Sequence, residues 1–254
     1  MIALITDFGY TDNYTGLVKG VIKNLNPEVE IIDVTHGVVS YSVLNAQYML
    51  YSSVKHFPQS TIFYVVIDPG VGSQRRAIVG YRDGLCVVAP DNGIISSFLC
   101  DGDDVFSVNN DYFGTVSSTF HGRDIFAPVA ALLSKGISPF DFGTRIDDWI
   151  RKPFPEYLVN NMVVEGIVLH VDKFGNVITS VPNDSFVIPG KAVCTIPESG
   201  KSFALKVSNN YSELKHGVSG VLRGSSGFLE MAMNMVSLAD VYSIKIEDRL
   251  SISI

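Results

Sequence analysis

The chain has 254 residues, of which 46% are hydrophobic and 18% are charged, and its formal net charge is −7. This length predicts one large domain or two smaller ones with a sizeable core, and the acidity argues against nucleic-acid binding, because no basic surface can neutralise phosphates. No apolar run is long enough to cross a membrane, the start lacks the basic segment of a signal peptide, and the three cysteines fit neither a disulfide framework nor a zinc motif. We therefore expect a cytoplasmic protein without a membrane partner.

The first half of the chain alternates between strand-like and helix-like segments. Strands are predicted where short β-branched and aromatic runs end in turn residues, over Ile2 to Thr6, Val29 to Val34, Ile62 to Ile67, Ala77 to Tyr81 and Leu85 to Ala89. Helices are predicted from apolar residues at helical spacing, over Tyr14 to Leu25, Ser42 to Phe57 and Asp124 to Lys135, with Asp12 or Asn13 capping the first. This alternation is typical of an α/β domain with a mainly parallel sheet and flanking helices.

The composition of the chain changes after Gly136. The segment from Arg145 to Glu156 contains two prolines and several charges, as connecting segments do. We place an N-terminal α/β domain at residues 1–150, a linker at 151–161 and a smaller C-terminal domain at 162–254.

The C-terminal part consists of short strands and turns. The predicted strands cover Val163 to Val171, Val177 to Val181, Ala192 to Ile196, Phe203 to Val207 and Val218 to Arg223. An alternating pattern returns from Val241 to Ile254, and only Phe228 to Met235 has a helical pattern. These features predict a β-rich, barrel-like domain.

Polar residues follow the predicted strands, or open a helix, at five places. These residues are Asp7, His36, Asp68, Asn92 and His121. The carboxyl ends of parallel strands gather at one edge of a sheet, where α/β proteins bind ligands. Five polar residues in such positions therefore indicate a site.

Asp68 is the most informative of the five, because it follows the apolar run Ile62 to Ile67 and precedes a proline and two glycines. These residues force a tight turn that can bring Arg75 or Arg76 back towards the Asp68 carboxylate. The same pattern also fits an aspartate that caps a turn beside two solvated arginines.

Two kinds of ligand are compatible with this set of residues. Aspartates and histidines could hold a divalent ion, but the chain has no metal-binding motif of known spacing. Alternatively, the site could bind a polar small molecule, with Asp7 accepting hydrogen bonds from two ribose hydroxyls. The dinucleotide fingerprint and the P-loop are absent, so neither a dinucleotide nor a triphosphate is indicated. His36 could also be a buried structural histidine.

Two C-terminal turns add further candidates. Asp172 to Asn176 places a carboxylate, an aromatic ring and an amide around a glycine, which could bind a heteroaromatic base or form an ordinary hairpin loop. Arg223 to Glu230 places small residues before a predicted helix, whose free N–H groups could bind a carboxylate. Serine capping of that helix is the alternative.

Six sequence blocks together resemble the S-adenosylmethionine (SAM) hydroxide adenosyltransferases, or SAM hydrolases, which are relatives of the fluorinase and chlorinase. The blocks are Thr6–Gly9, Asp68–Gly72 with Arg75 and Arg76, Ala89–Gly93, Phe120–Asp124, Asp172–Asn176, and Ser225–Gly227 with Leu229 and Glu230. The resemblance implies an α/β N-terminal domain, a β-rich C-terminal domain and a homotrimer with active sites between subunits. It also implies hydrolysis of S-adenosyl-L-methionine to adenosine and L-methionine, with no cofactor and no metal.

The resemblance implies that Asp68, Arg75 and His121 form the catalytic group, which positions and activates a water molecule. Arg75 would stabilise the charge of Asp68, and His121 would orient or deprotonate the water. Attack falls on the ribose C5′ carbon, and the sulfonium leaves as a neutral thioether, so no general acid is needed at the leaving group.

On the nucleoside side, Asp7 resembles the family's ribose-binding acid. Tyr41 lies where the halogenases place an aromatic ring along the nucleoside. Phe174 and Asn176 would bind the adenine, together with the backbone of Met235.

On the methionine side, Asp172 resembles the acid that takes the ammonium group, and Ser225 a residue at the carboxylate. Glu230 is a further candidate for substrate binding. The family usually continues the Phe-Gly-Asn block into Thr-Asn-Ile, whereas this chain has Thr179–Val181 there, which changes the expected wall of the base pocket. A non-catalytic adenosine or SAM sensor and a metal-dependent phosphohydrolase are the alternative functions.

Overall fold

The structure is a computed structural model that describes residues 1–185 and 190–253. The chain forms two units, Met1–Lys152 and Pro153–Ile254. A mixed seven-stranded sheet forms the centre of the first unit. Its strands are β1 (Ile2–Thr6), β2 (Ile31–Thr35), β3 (Ile62–Val66), β4 (Ala77–Arg82), β5 (Leu85–Pro90), β6 (Asp104–Val108) and β7 (Gly143–Ile146). Their order is β2-β1-β3-β5-β4-β6-β7. Residues 186–189 and Ile254, which the sequence assigns to the C-terminal domain, lie outside the described residues.

The four strands β2, β1, β3 and β5 are parallel, and the remaining pairings are antiparallel. The predicted α/β class is therefore confirmed, and the sheet is mixed because the β4–β5 hairpin reverses the chain. β6 was not predicted, and β7 reaches into the predicted connecting segment, where Trp149 is also buried. Residues 145–149 are thus part of the first unit's packed structure.

Helices cover both faces of this sheet. They are α1 (Tyr14–Leu25), α2 (Val43–Val54) and α3 (Ala127–Ser134). Ile2 and Leu4 of β1 pack in one core with α1 and α3, whereas Ala3 and Ile5 pack in a second core with α2. Strands covered on both faces are apolar at every position, which explains their continuous hydrophobic runs.

The helix termini only partly follow the prediction. Asn13 is the N-cap of α1, but its side chain makes no capping hydrogen bond. Ser42 caps α2 by accepting a hydrogen bond from the Asn45 backbone N–H. The helix predicted from Asp124 starts earlier, with His121 followed by a π-helical turn over Gly122–Phe126 that continues into α3.

The second unit contains a seven-stranded barrel, as the sequence predicts. Its strands are β9 (Val163–Val171), β10 (Val177–Pro182), β11 (Lys191–Ile196), β12 (Lys201–Val207), β13 (Ser219–Arg223), β14 (Phe228–Met233) and β15 (Arg249–Ser253). The order β10-β14-β13-β12-β11-β15-β9 closes through pairing of β9 with β10. An edge strand, β8 (Tyr157–Asn160), pairs with β9 inside the segment predicted as a linker.

One predicted element of this unit is wrong. The segment Phe228 to Met235 has a helical pattern, but its first six residues form strand β14 and only Asn234 and Met235 follow the strand. Leu229, Met231 and Met233 point into the barrel core, while Phe228, Glu230 and Ala232 are also buried. Because both faces of β14 are buried, its apolar residues do not alternate. In the last segment, a short helix α4 (Leu238–Tyr242) precedes β15, so the alternating pattern describes only its end.

Across the described residues, no helix combines the length and apolar character needed to cross a membrane.

Candidate active site

A forked ion pair joins Asp68 and Arg75 at the end of β3. Arg75 Nε donates to Asp68 Oδ1 at 2.9 Å, and Arg75 Nη2 donates to Asp68 Oδ2. The intervening turn is closed by hydrogen bonds from the Val71 N–H to the Asp68 carbonyl and from the Ser73 N–H to the Gly70 carbonyl. The Asp68 and Arg75 side chains are only 8% and 9% exposed, so the pair is largely shielded from water. A bidentate arginine–carboxylate pair fixes the orientation of both groups.

His121 extends this pair to a group of three side chains. Its Nδ1 lies 2.7 Å from Arg75 Nη2. Because a guanidinium can only donate, Nδ1 must be the acceptor, and the proton of the neutral ring then sits on Nε2. Burial, together with the charge of Arg75, lowers the pKa of His121, whereas Asp68 and Asp124 act in the opposite direction. The surroundings therefore favour the neutral imidazole.

The π-helical turn that follows His121 holds it against the sheet. Tyr64 Oη donates to the Gly122 carbonyl at 3.0 Å from within the core. A Cβ at Gly122 would lie 3.0 Å from Tyr64 Oη and 3.1 Å from rings of Phe8 and Phe120, so a side chain there would crowd all three. π-Helical turns are frequent at functional sites.

Asp7 and Tyr41 meet at the ends of β1 and the β2–α2 connection. The Tyr41 backbone N–H donates to Asp7 Oδ2 at 3.0 Å. Tyr41 adopts a φ of 69°, in the left-handed region that non-glycine residues rarely occupy, and its side chain is 72% exposed. Burial raises the pKa of Asp7, the backbone hydrogen bond from Tyr41 opposes this, and the nearby charge of Asp68 adds to the rise.

A cavity of about 270 Å³ brings these groups together. Of the predicted site residues, Asp7, Tyr41, Asp68 and His121 line it. No site role was predicted for the other lining residues, which are Phe8, Asp12, Tyr14, Ser40, Val66, Val71, Thr119, Phe120 and Gly122. Phe8 and Phe120 are the chain neighbours of Asp7 and His121, so adjacency to predicted site residues was the signal that could have found them.

The other polar residues at strand ends have structural roles. His36 is 2% exposed; its Nδ1 lies 2.7 Å from Thr6 Oγ1 and its Nε2 3.1 Å from Asp33 Oδ1. The Asn92 side-chain amide donates to the Ile67 carbonyl at 3.0 Å. Arg76, the alternative partner for Asp68, binds Asp91 instead. The sequence left Arg75 and Arg76 open, and the structure selects Arg75.

In the second unit, Asp172 organises the β9–β10 turn. Its Oδ1 accepts hydrogen bonds from the backbone N–H groups of Phe174 and Asn176, and its Oδ2 from the Asn176 side-chain amide, each at 2.9 Å. Asn176 is buried, whereas the Phe174 ring is 65% exposed. Met235 is also exposed and has a φ of 60°. The turn is a hairpin loop, which is one of the two alternatives for this sequence, and it presents an aromatic ring to solvent.

Ser225 lies in the turn between β13 and β14, not before a helix. Hydrogen bonds from the Gly224 N–H to the Phe228 carbonyl and from the Gly227 N–H to the Gly224 carbonyl close this turn. The prediction that the N–H groups of a helix N-terminus bind a carboxylate here is therefore wrong. Ser225 is instead an exposed residue of a hairpin turn. Glu230 follows on β14, where it accepts a hydrogen bond from Tyr211 Oη. Burial raises the pKa of Glu230, Tyr211 opposes this, and the charge of Asp172 adds to the rise.

Ser180, which stands where the family usually has asparagine, is fully buried in the barrel wall. Its Oγ donates to the Glu156 carbonyl and accepts from the Ile167 N–H at 2.9 Å. A Cβ at Gly166 on the neighbouring strand would lie 2.9 Å from the Ser180 Oγ, so this position is tightly packed.

No group of three or more histidine, cysteine, aspartate or glutamate side chains arranged to hold a metal ion occurs within residues 1–185 and 190–253.

Comparison with known proteins gives full-length similarity. The family models described as SAM hydroxide adenosyltransferase N-terminal and C-terminal domains match residues 2–143 and 166–251. An (R)-S-adenosyl-L-methionine hydrolase from Salinispora tropica is 33% identical, over 99% of this chain and 97% of that protein. One from Methanocaldococcus jannaschii is 28% identical, over 99% and 95%. The crystal structure of an uncharacterized conserved protein from Thermotoga maritima matches with a TM-score of 0.90 and 36% identity, covering 100% of both chains.

Proposed function

Because the chain belongs to the SAM hydroxide adenosyltransferase family, we propose that it hydrolyses S-adenosyl-L-methionine to adenosine and L-methionine. The observation that carries this proposal is the contiguous Asp68–Arg75–His121 group, two members of which line a cavity shared with Asp7. Two relatives that span the chain are named (R)-S-adenosyl-L-methionine hydrolases, which supports the same activity.

In the proposed mechanism, a water molecule attacks the ribose C5′ carbon as the C5′–S bond breaks. The bonding electron pair passes to sulfur, which leaves as the neutral thioether of methionine, and the water oxygen becomes O5′ of adenosine. Asp68 accepts the proton that the water loses, and Arg75 stabilises the charge of Asp68 before that transfer. His121 orients the water as a hydrogen-bond donor through Nε2–H, because its Nδ1 is already occupied by Arg75.

The candidate binding residues of each unit carry side chains of the kinds that bind a ribose or a nucleobase. We propose that Asp7 accepts hydrogen bonds from the ribose hydroxyls and that the exposed Tyr41 ring lies along the nucleoside. Phe174 offers an exposed ring for stacking on adenine.

The remaining binding roles are assigned to residues of the second unit. Asn176 and the backbone of Met235 are proposed to hydrogen-bond the base. Asp172 and Ser225 are proposed to bind the methionine ammonium and carboxylate groups, and Glu230 is proposed as a further substrate-binding residue.

Turnover in ¹⁸O-labelled water tests this function directly. Purified protein is incubated with SAM, and the products are separated and analysed by mass spectrometry. We expect equimolar adenosine and methionine, with one label in adenosine at O5′. Binding of SAM without product would instead identify a sensor. A rate on phosphate esters that disappears in chelator would identify a metal-dependent phosphohydrolase.

We also propose that the protein acts as a cytoplasmic homotrimer. The family resemblance supports the trimer, and the exposed free thiol of Cys100 suits a reducing compartment. Sedimentation velocity at assay concentrations tests the assembly, and a fully active monomer would contradict it.

A further inference from the structure

Asp91 and Asn92, two consecutive residues after β5, bind the chain neighbours of Asp68 and Arg75. Asn92 Nδ2 donates to the carbonyl of Ile67, the residue before Asp68, at 3.0 Å. Asp91 Oδ2 accepts from Arg76, the residue after Arg75, through Nε at 2.9 Å and Nη2 at 2.7 Å. Each member of the proposed catalytic pair is thus held through the residue next to it.

The Arg76–Asp91 contact fixes which arginine faces Asp68. The Asp91 N–H donates to the Arg76 carbonyl at 2.9 Å, one position beyond the last β4–β5 pair, Ala77 and Pro90. Because successive side chains of an extended segment point to opposite sides, a partner for Arg76 on one side turns Arg75 to the other. A slip of one residue would exchange the two arginines.

Asp91 itself is firmly held. It is 3% exposed, and its second carboxylate oxygen accepts from the Ile150 N–H at 2.8 Å. Arg76 also binds Asp148 through Nη1, but that carboxylate is 72% exposed and contributes far less to positioning. Arg76 Nη2 also donates to the Asp148 backbone carbonyl at 2.9 Å, so Asp91 is the buried side chain among the groups that hold Arg76.

Asn92 performs the equivalent task for Asp68. On its β1 side β3 is paired as far as Val66, but pairing between β3 and β5 ends at Tyr64 and Val88, so on the β5 side the strand end that carries Ile67 and Asp68 lies beyond the paired residues. The Asn92 side chain supplies a bond at this point, and its Oδ1 accepts from the Ile94 N–H at 3.3 Å.

We propose that Asp91 and Asn92 are positioning residues for the reaction, which keep Asp68 and Arg75 in register with each other and with His121. The expected effects on kcat rest on the proposed function, whereas the expected change in the His121 titration concerns the protein without substrate.

The test compares Asp91→Asn, Asn92→Ala and the matched control Asp148→Asn, which removes only the exposed charge that pairs with Arg76. We measure kcat, KM and thermal unfolding, and follow the His121 ring by NMR titration without substrate. Asp91→Asn and Asn92→Ala should each lower kcat roughly 10–100-fold, as lost supporting contacts commonly do, with KM within about twofold. Asp148→Asn should keep kcat within about twofold of wild type.

The His121 titration separates positioning from a loss of folding stability. In the wild type, the charge of Arg75 lowers the pKa of His121, while Asp68 and Asp124 raise it. Asp91→Asn should raise this pKa, because Arg75 is no longer held beside the histidine and both carboxylates remain. Ile22→Val, a mild core substitution in α1, serves as the stability control and should leave the titration and kcat unchanged at a comparable loss of thermal stability. If Asp91→Asn is too unstable to purify, Asn92→Ala carries the kinetic test.

Wild-type kcat together with an unshifted His121 titration in Asp91→Asn, or a wild-type kcat in Asn92→Ala, would overturn the proposal. An equal loss of kcat in Ile22→Val would do the same. If the wild type does not turn over SAM but the His121 titration still shifts in Asp91→Asn, the proposed function fails and the positioning role stands.

Discussion

Arg75 contacts His121 Nδ1 at 2.7 Å while the same guanidinium is forked onto Asp68. The Arg75 guanidinium therefore orients two acceptors, the Asp68 carboxylate and His121 Nδ1. The arrangement allows His121 only one neutral tautomer, with its proton on Nε2, because Nδ1 faces an N–H donor. Protonation of His121 would place a second N–H against the guanidinium, so the ion-pair geometry and the protonation state of the histidine are linked.

The first prediction concerns the pH dependence of this histidine. The pKa of His121 is lowered from its ordinary value of 6.5 by burial and by Arg75. The unfolded chain binds a proton at this histidine near pH 6.5, whereas the folded protein binds it only at a lower pH. Between these two values the proton stabilises the unfolded state, so the free energy of unfolding decreases as the pH falls. The neutral form should persist, and kcat/KM should stay level, to a pH below 6.5. An NMR titration midpoint at or above 6.5 would contradict this assignment.

The second prediction concerns the catalytic side chains themselves. Asp68→Ala, which removes the proposed base, or His121→Ala, which removes the donor that orients the water, should slow turnover roughly 10²–10⁴-fold. Adenosine affinity should change little, because these residues act on the water. His56→Ala removes an exposed histidine and should be silent. Steady-state kinetics with adenosine binding by calorimetry make the measurement, and near-wild-type rates in both variants would rule out the assignment.

The third prediction uses the forked geometry of Arg75. Lysine keeps the charge, but all its donors sit on one nitrogen, so Arg75→Lys loses the two-nitrogen fork that orients Asp68 beside His121. We expect kcat to fall roughly 10²-fold, as for loss of one preorganised donor, with a smaller change in KM. Arg145→Lys alters an exposed ion pair with Asp104 and should keep the wild-type rate. Equal rates for the two variants would show that charge alone suffices.

The fourth prediction concerns the Asp172–Asn176 loop. Gly175 has a φ of 81°, and a Cβ there would lie 2.6 Å from Ser237 Cα, whereas Gly200, with a φ of 64°, has open space. Alanine strains the backbone at both positions, but only Gly175→Ala adds a collision. We expect Gly175→Ala to lose about 1–3 kcal/mol more unfolding free energy than Gly200→Ala, as overpacking usually costs. Its KM for SAM should also rise, and a Gly200→Ala variant with the same KM increase would contradict the role of this loop.

The sequence predicts β1, β3 and β5 well because each is buried on both faces and is followed by turn residues. The same rule gathers Asp7, Asp68 and His121 at one cavity. It fails for His36, since a strand-end histidine and a buried structural histidine have the same local sequence. It also fails at β14, where burial of both faces removes the alternation that identifies a strand.

Other features depend on contacts that no local pattern contains. The choice of Arg75 over Arg76 depends on Asp91, fifteen residues away from Arg76, and becomes visible only when the β4–β5 register is known. Trp149 is buried within a segment whose prolines and charges are typical of a linker, because it packs in the same hydrophobic core as α2. Tyr14 of the cavity likewise carries no local signal, whereas Phe8 and Phe120 adjoin predicted site residues.

The last prediction concerns the nucleophile. A halide is an anion that must shed water to react, so a halide site should be apolar with a few neutral donors. Here the cavity is lined by Asp7, Asp12 and Asp68, and the Arg75 guanidinium is already forked onto Asp68. An unpaired carboxylate about 4 Å away would cost an anion around 4 kcal/mol at an effective dielectric near 20. Arg75 offsets part of this for Asp68, but no lysine or arginine is among the described residues that line the cavity beside Asp7 and Asp12, so the balance still disfavours a halide.

A water molecule meets no such repulsion and gains Asp68 as an acceptor, so water should be the only effective nucleophile. Reactions in ¹⁸O-labelled water with excess chloride or fluoride should give adenosine labelled at O5′ and no detectable 5′-halo-5′-deoxyadenosine. Asp68→Ser, which removes the carboxylate but keeps a small hydroxyl, is the informative variant, because it should lower the hydrolytic rate while weakening the repulsion of chloride and freeing the Arg75 guanidinium. A halogenated nucleoside as the main product of the wild type would show that Asp68 does not exclude anions, and its assigned role in activating water would then be wrong.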